Sequence, residues 1–372
     1  MKILELTCHY FPNMGGVETH LLDLVNVLNK RNYEVFVLTY QPLTTKASWG
    51  IYEHKNNLSV FRIPWIRGLF YKLIKYPFLE FLYLLPGLIV LTPIVLIFSN
   101  SDVIHAHGLV TGVAATFWGK LFGKRVVITI HSMYNFPKSG LYRQFVKLLF
   151  NKADYILSLS KQAADEVISL GVSANKVKVF TYWIDLDKFH KIEDAKNELH
   201  WRNTFTVLFV GRLVFEKGIR QLLEAAKGWD KKITLAIVGT GPLESEIVEF
   251  SRKYTSINFL GLVDQERLPL YYNAADLVIV PSVHEEGFGR VILEALACGT
   301  PVVAANRGAI PEAMDESVGK LIKITPQNIV KAVNYLYKNK SKLGELSKNT
   351  RAFAKQRYSE KNIEVVLKCL NK

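Results

Sequence analysis

Two glutamates with seven residues between them, Glu286 and Glu294, lie in the run Pro281–Val303, PSVHEEGFGRVILEALACGTPVV. Glu286 falls in the loop beyond a strand that ends at Pro281. Glu294 falls about one turn inside the helix that follows. Ionised carboxylates accept hydrogen bonds from hydroxyls, so Glu294 suits a ribose and Glu286 the hydroxyls of a sugar. Gly287 and Gly289, on either side of Phe288, allow backbone N–H groups close to an anion at the start of that helix. A solvated helix face would account for one such glutamate but not for the whole run. Upstream, Gly211-Arg212-Leu213-Val214-Phe215-Glu216-Lys217-Gly218 follows a strand directly. Arg212 and Lys217 are then expected at the carboxyl end of a sheet, where open α/β folds bind ligands. Two fixed cations there would stabilise the charge that builds on a departing diphosphate, without a metal. The plainer alternative is two surface cations beside a tight loop.

Other segments say less on their own. Pro12-Asn13-Met14-Gly15-Gly16-Val17-Glu18 sets two glycines between a strand and a helix, either to admit an anion or to make a plain left-handed turn. It is not the G-x-G-x-x-G dinucleotide fingerprint. Val238-Gly239-Thr240-Gly241-Pro242-Leu243 is a further strand-to-helix turn, with Pro242 at the first helical position. His105 and His107 sit at a strand end and are expected to point to opposite sides. That makes them a poor metal pair, and no third ligand is evident, so no metal is expected. His131 is the better functional candidate, against the alternative of a hydrogen-bonded structural histidine.

The elements that must position these residues alternate strand and helix. Strand-like runs cover residues 2–8, 35–39, 103–105, 126–130 and 155–159, with helical spacing of apolar residues over 17–29. After the polar stretch Lys191–Asn203 the alternation restarts, with strands at 206–210, 233–238, 257–260, 277–281 and 302–304. Helices are expected at 216–227, 242–253, 265–273 and 290–298. Such βαβ alternation predicts α/β architecture with parallel sheets covered on both faces. The expected organisation is a first domain over 1–190 and a second over 204–354, with a C-terminal helix of about 355–372 packing back on the first. The 372 residues, 49% hydrophobic and 22% charged, suffice for two cores.

Cys8, Cys298 and Cys369 are scattered, which argues for a reducing compartment and against a disulfide framework. The chain starts on a strand-like run, Ile3–Thr7, rather than an apolar leader, so a cytoplasmic active site is expected. The formal net charge is +14; between residues 60 and 152, eleven Lys or Arg face only Glu80 and Asp102. A basic surface suits nucleic acid, anionic lipid or an anionic substrate, and no stacking or zinc-finger pattern supports nucleic acid. Inside that basic region, residues 77–98, PFLEFLYLLPGLIVLTPIVLIF, carry a single charge. A membrane span would cut an α/β domain in two, and Pro86 and Pro93 disfavour one straight helix. A buried pair of core helices and a helix pair dipping into a membrane face both remain. Trp65, Arg67, Phe70, Tyr71, Lys72, Lys75 and Tyr76 flank the segment as an interfacial set would.

Taken in order, these motifs resemble the retaining family 4 glycosyltransferases. They are the Gly15-Gly16 turn, Asp102-Val103-Ile104-His105-Ala106-His107, Thr129-Ile130-His131, the Arg212/Lys217 loop, Gly239-x-Gly241, Phe259-Leu260-Gly261 and Glu286-x7-Glu294. The resemblance covers nearly the whole chain. It implies the GT-B fold, two Rossmann-like domains facing each other across a cleft. It also implies transfer of a sugar from a UDP- or GDP-linked donor to an acceptor hydroxyl. By position it assigns Gly15, Gly16, Gly211, Arg212, Lys217, Gly239 and Gly241 to the donor's diphosphate region, and Leu260, Gly261 and Leu262 to the base. It gives Glu294 to the ribose, and Glu286 with Gly287, Phe288 and Gly289 to the transferred sugar. His131 would lie near the anomeric carbon. Catalytic roles then fall to His131, Glu286, Arg212 and Lys217.

The sequence departs from the family pattern at Ser132, where Asp is common, at Tyr182-Trp183-Ile184-Asp185, and at Ala309, where a second Gly is usual. The nucleotide sugar is a substrate, so no cofactor and no metal are expected. Retention without an identifiable carboxylate nucleophile favours front-side substitution. The basic, apolar region suggests a lipid-linked or envelope-glycan acceptor, as in polysaccharide or lipopolysaccharide biosynthesis, and peripheral binding to the cytoplasmic membrane face. A soluble acceptor, or an epimerase on the same fold, are the alternatives.

Overall fold

The computed structural model describes residues 1–13, 15–43, 50–66, 68–73 and 76–371, with backbone alone at Tyr71 and Pro77. Met14 of the first glycine turn, and Arg67 and Lys75 of the basic flank, lie outside the described residues. The chain forms two compact units, Met1–Phe180 with Asn362–Lys372, and Thr181–Lys361.

The first unit holds strands β1 (Lys2–Thr7), β2 (Glu34–Tyr40), β3 (Tyr52–Lys55), β4 (Leu58–Ile63), β5 (Val103–His107), β6 (Arg125–Ile130), β7 (Tyr155–Ser158) and β8 (Val177–Val179). Their order is β3-β4-β2-β1-β5-β6-β7-β8. Every neighbouring pair is parallel except the antiparallel β3–β4 hairpin. The second unit holds β9 (Phe205–Val210), β10 (Ile233–Val238), β11 (Ile257–Gly261), β12 (Leu277–Val280), β13 (Val302–Ala305) and β14 (Gly319–Ile322). They form an all-parallel sheet ordered β11-β10-β9-β12-β13-β14. Runs such as VLF in β9 and LAIV in β10 are buried because helices cover both faces. In each sheet the order reverses beside the first strand of its unit, between β1 and β5 and between β9 and β12. Loops beyond such a reversal frame a crevice.

The polar stretch 191–203 belongs inside the second unit. The Ile192 amide donates to Asn273 Oδ1 (2.8 Å), Lys196 pairs with Asp276 (2.5 Å), and Ala195 packs with Leu270 and Ala274. Its composition is polar because one side faces water, yet these contacts tie it down. At the other end, Lys340–Arg357 stays in the second unit, where Arg351 Nη1 donates to the Ala297 carbonyl (2.8 Å). The helix Ile363–Asn371 joins the first unit: Glu364 pairs with Arg31 (2.7 Å), and Arg125 Nη1 donates to the Leu370 carbonyl (2.7 Å).

Residues Pro77–Ser99 form one continuous helix rather than the expected pair. Proline removes the bond to the carbonyl four residues earlier, so Pro93 frees the carbonyl of Ile89. The Trp118 indole N–H donates to that carbonyl at 2.8 Å. Near Pro86, Trp65 Nε1 donates to the Tyr83 carbonyl (2.9 Å), and the Tyr40 hydroxyl donates to that of Leu84. A neighbouring side chain thus supplies what Pro93 takes away, and others add bonds in the turn around Pro86. The helix is long and apolar enough to cross a membrane. It nevertheless connects β4 and β5 of one sheet, which a crossing would split between two sides.

Candidate active site

In the second unit the loops after β9 and β12 flank the reversal point. Lys217 ends a short 3-10 turn, Phe215–Lys217, and Gly218 follows in the left-handed region (φ 71°). A Cβ at Gly218 would lie 1.8 Å from the Pro281 carbonyl oxygen, so only glycine lets the two loops touch. The loops are also joined by the Val283 amide, which donates to the Glu216 carbonyl (2.9 Å). This contact brings Lys217 Nζ to 2.5 Å from Glu286 Oε1, and the Ser282 hydroxyl donates to the same oxygen. Burial alone would raise the Glu286 carboxyl. Lys217, the Ser282 hydroxyl and the nearby Arg212 charge together hold it below the usual carboxylate range. Arg212 itself is exposed. The site therefore offers one paired cation and one open one beside an ionised carboxylate.

Glu294 lies on the helix Arg290–Ala297 and is buried, so it is not a solvated helix face. It accepts from the Tyr272 hydroxyl (2.7 Å) and Arg290 Nε (3.2 Å). The helix starts from Gly289 in the left-handed region (φ 75°). Phe288 is buried between Tyr182 and Tyr358, each with its ring centroid 6.1 Å away, which anchors the loop. Tyr182, from the segment that departs from the family pattern, is thus a packing residue. Ala309 has φ −85° and donates its amide to the Glu286 carbonyl (3.1 Å), a geometry in which alanine fits. Gly239 and Gly241 serve loop packing, for a Cβ at Gly239 would lie 1.9 Å from the Gly211 carbonyl oxygen. The Gly239 amide donates to the Gly261 carbonyl (2.8 Å) at the end of β11, next to the exposed Leu262 and the partly buried Leu260. Gly287 lies in the same loop as Glu286, partly buried.

The first unit's reversal point carries a different group. Glu5 of β1 stands opposite His105 of β5 in the parallel register, with Thr7 opposite His107. His105 and His107 do not diverge. Residues two apart on a strand share a face, and Ala106 between them takes the other. Their ring centroids are 4.2 Å apart. Glu5 Oε2 accepts from His107 Nε2 (2.7 Å) and from His105 Nδ1 (2.9 Å). His105 Nε2 meets Thr129 Oγ1 (2.7 Å), and His107 Nδ1 meets His131 Nε2 (3.0 Å). Glu5 is the partner that sequence reading missed: it lies a hundred residues away, and only the β1–β5 register joins them. Potential ligand atoms of Glu5, His105 and His107 lie within 4.8 Å of one another. The 2.7–2.9 Å contacts are direct hydrogen bonds, shorter than the roughly 3.3 Å between ligands about 2.0 Å from a tetrahedral zinc ion. Burial would raise Glu5, but the two imidazoles bring it down to about 2. Burial and His105 hold His107 at about 4 despite Glu5, and burial with both histidines holds His131 well below its ordinary value. His20, on the helix Gly16–Lys30, packs edge-on to His131 with ring centroids 5.7 Å apart. That helix starts at Gly16, with Gly15 extended before it. A Cβ on Gly15 would lie 2.4 Å from a Glu18 carboxylate oxygen.

Two parallel-sheet units of this kind define an α/β protein of the GT-B class. Residues 191–369 match the family described as Glycosyl transferases group 1, and residues 14–188 match Glycosyltransferase Family 4; the chain belongs to this family of glycosyltransferase enzymes. It is 26% identical to an uncharacterized glycosyltransferase of Methanocaldococcus jannaschii, over 97% of this chain and 95% of that one. It is 24% identical to a phosphatidylinositol N-acetylglucosaminyltransferase subunit of Arabidopsis thaliana, over 90% of this chain and 73% of that one. Among solved structures, Anabaena HepE in complex with UDP and glucose superposes with a TM-score of 0.78 at 22% identity, covering 100% of this chain and 98% of that one.

Proposed function

We propose that the chain transfers a sugar, with retention, from a nucleoside-diphosphate donor to a hydroxyl of a lipid-linked or envelope-glycan acceptor at a membrane surface. The observation that carries the transfer is the junction of the β9 and β12 loops, where Lys217 and Arg212 stand beside Glu286 at the start of the Arg290–Ala297 helix. Lys217, Arg212 and that helix start would hold the diphosphate, and Glu294 the ribose. Glu286 with the Gly287–Gly289 backbone would hold the transferred sugar, and Leu260–Leu262 the base. By the family resemblance, His131 and the Gly15–Gly16 turn of the first unit would also serve the reaction. Fixed cations stabilise the departing diphosphate, whose oxygen takes the proton of the incoming hydroxyl in a front-side displacement. The HepE complex supports a UDP-linked donor as the first to test. Side-chain cations meet the diphosphate charge, so transfer is expected to persist in excess EDTA. Incubation with UDP-, GDP- and ADP-sugars and a lipid-linked acceptor should yield a glycosylated acceptor. An epimerised donor as the sole product, or activity that needs added Mn²⁺ or Mg²⁺, would overturn this reading.

The membrane component rests on the helix Pro77–Ser99. Phe78, Leu82, Val90, Ile94, Ile97 and Phe98 are 57–77% exposed, at a spacing close to four, so they form an apolar stripe along one side. Twenty-three residues make a rod about 35 Å long, and its other side packs on the first unit's core through Leu84, Leu88, Val95 and Leu96. Exposed Leu141, Phe145 and Leu148 lie on a neighbouring helix, with Phe81 and Phe145 in ring contact at 6.2 Å. Lys147 and Lys152 are on that helix too. An exposed apolar stripe with exposed lysines on the neighbouring helix fits a helix lying in the plane of an anionic membrane, half immersed. In this account the apolar contact dominates. Wild-type protein should float with anionic liposomes, and Leu82→Asp with Ile94→Asp should leave it in the soluble fraction. A wild type that does not float at low salt would leave the soluble acceptor as the reading.

A further inference from the structure

Between β12 and the helix Arg290–Ala297, residues 281–289 form no helix or strand, yet they carry Glu286 and the Gly287–Gly289 backbone. Whatever fixes this loop therefore places those groups. In the sheet β12 lies between β9 and β13, so two loops flank it. The β9 loop holds it through the Val283 amide and through Lys217 on Glu286. The loop after β13 holds it through Arg307. Arg307 Nε donates to Glu285 Oε1 (3.1 Å), and Arg307 Nη1 donates to the Val283 carbonyl. Two successive glutamates thus take cations from two different loops. Gly308 is in the left-handed region (φ 57°), and a Cβ there would lie 2.9 Å from both the Glu286 amide nitrogen and Glu285 Oε2. Bare backbone lets the β13 loop lie against Glu285 and Glu286, and the Ala309 amide bonds the Glu286 carbonyl (3.1 Å). The β13 loop is itself tied down, because the Asn306 amide donates to the Ile322 carbonyl of β14 (2.8 Å).

We propose that Arg307 is a positioning residue for the transferred sugar: bridging Glu285 and the Val283 carbonyl, it braces the β12 loop from the β13 side and so sets where Glu286 and the Gly287–Gly289 backbone meet the sugar. This rests on the glycosyl-transfer reading for its consequence, but not for its geometry. The Arg307 and Glu285 side chains are 51% and 24% exposed, and an ion pair of that kind adds little to stability. Its geometry matters more. One planar guanidinium reaches a carboxylate and a backbone carbonyl together, which a single ammonium on a flexible stem does less well. In the proposed function the nucleotide is held by Lys217, Arg212 and Glu294, none of which bonds Arg307. Loss of the brace is then felt by the sugar, where a small misplacement is costly in rate, and not by the nucleotide.

Arg307→Ala in the full chain, compared with Arg307→Lys and Glu285→Ala, tests this by separate readouts. In hydrogen exchange, the Val283 and Ala309 amides should exchange about tenfold faster or more in Arg307→Ala, with those of β9 and β12 unchanged. With whichever of the UDP-, GDP- and ADP-sugars serves as donor, kcat should fall by about tenfold. Affinity for UDP and GDP, by calorimetric titration, should stay at the wild-type value. Arg307→Lys should recover part of the rate. The double variant, Arg307→Ala with Glu285→Ala, should be no slower than Arg307→Ala alone, because the two residues act as one unit. Wild-type kcat in Arg307→Ala overturns the proposal, even with a lowered melting temperature, since lower stability is all that a structural surface pair would show. Wild-type exchange at Val283 and Ala309 overturns it too. So does weakened nucleotide binding, which would make Arg307 a ligand of the diphosphate. A wild type that transfers from none of the donors, with the exchange difference present, would count against the transfer reading and leave the brace intact.

Discussion

The two reversal points share one topology and treat charge in opposite ways. At the first, between β1 and β5, a single carboxylate is sealed in the sheet and surrounded by imidazoles. At the second, between β9 and β12, carboxylate and ammonium meet in loops, with Arg212 open beside them. A sealed network in which each buried group already has partners holds its members in place. The pair is only partly buried, with the Lys217 and Glu286 side chains 29% and 12% exposed, so an incoming anion can take over Lys217 as its partner. The first arrangement is locked; the second can rearrange, as the proposed donor binding requires.

The largest effect that would break this contrast is on turnover. Lys217→Ala and Arg212→Ala should each lower turnover by about 10²-fold, because each leaves diphosphate charge uncompensated in the transition state. Near-normal rates in both variants, measured by donor consumption, would remove the binding role from the second site. Lys217→Ala should also raise the Glu286 carboxyl, since it removes the main charge opposing burial.

A smaller effect separates the sites by pH. His107 is depressed, so the folded state favours its neutral form. That stability is complete above about pH 6.5 and is lost as pH falls toward 4. The lowered Glu286 loses its contribution only below its ordinary value of 4.5. Between pH 6.5 and pH 5 the first sheet should lose about 2 kcal/mol, while the second site contributes no change. Hydrogen exchange in peptides from β1, β5 and β6, corrected for intrinsic rates and compared with β9 and β12, checks this. Equal protection in both sheets at pH 5 would contradict it.

The smallest effect concerns Ala309. Its φ is ordinary and its amide already bonds Glu286, so Ala309→Gly adds only chain entropy. It should destabilise by about 1 kcal/mol or less and leave turnover within about twofold of wild type. Thermal melts and rate assays would show it.

Much of this contrast is readable in the sequence, and the unread part has a physical cause. Apolar runs such as those of β9 and β10 disclose buried parallel strands because burial on both faces leaves few polar residues. The β3 strand, YEHK, is exposed along most of its length and carries no such signal. The β8 strand is three residues long, and only its neighbours reveal it. Glu286 and Glu294 are close in sequence, so local spacing discloses them. Glu5 and His107 meet through register alone. Nor does sequence show that the indole of Trp118 satisfies the carbonyl freed by Pro93, which is why the prolines suggested two helices where there is one.

The central claim is that the second unit binds the donor through Lys217 and Glu294 without a metal. Calorimetric titration of UDP and GDP into the full chain in excess EDTA tests it most directly. The account predicts one nucleotide bound per chain by the wild type and by Glu286→Gln. It predicts affinity weakened at least about tenfold, the loss of one charge-assisted contact of roughly 1.5–3 kcal/mol, in Lys217→Ala and in Glu294→Gln. Wild-type affinity in both of those variants would contradict it.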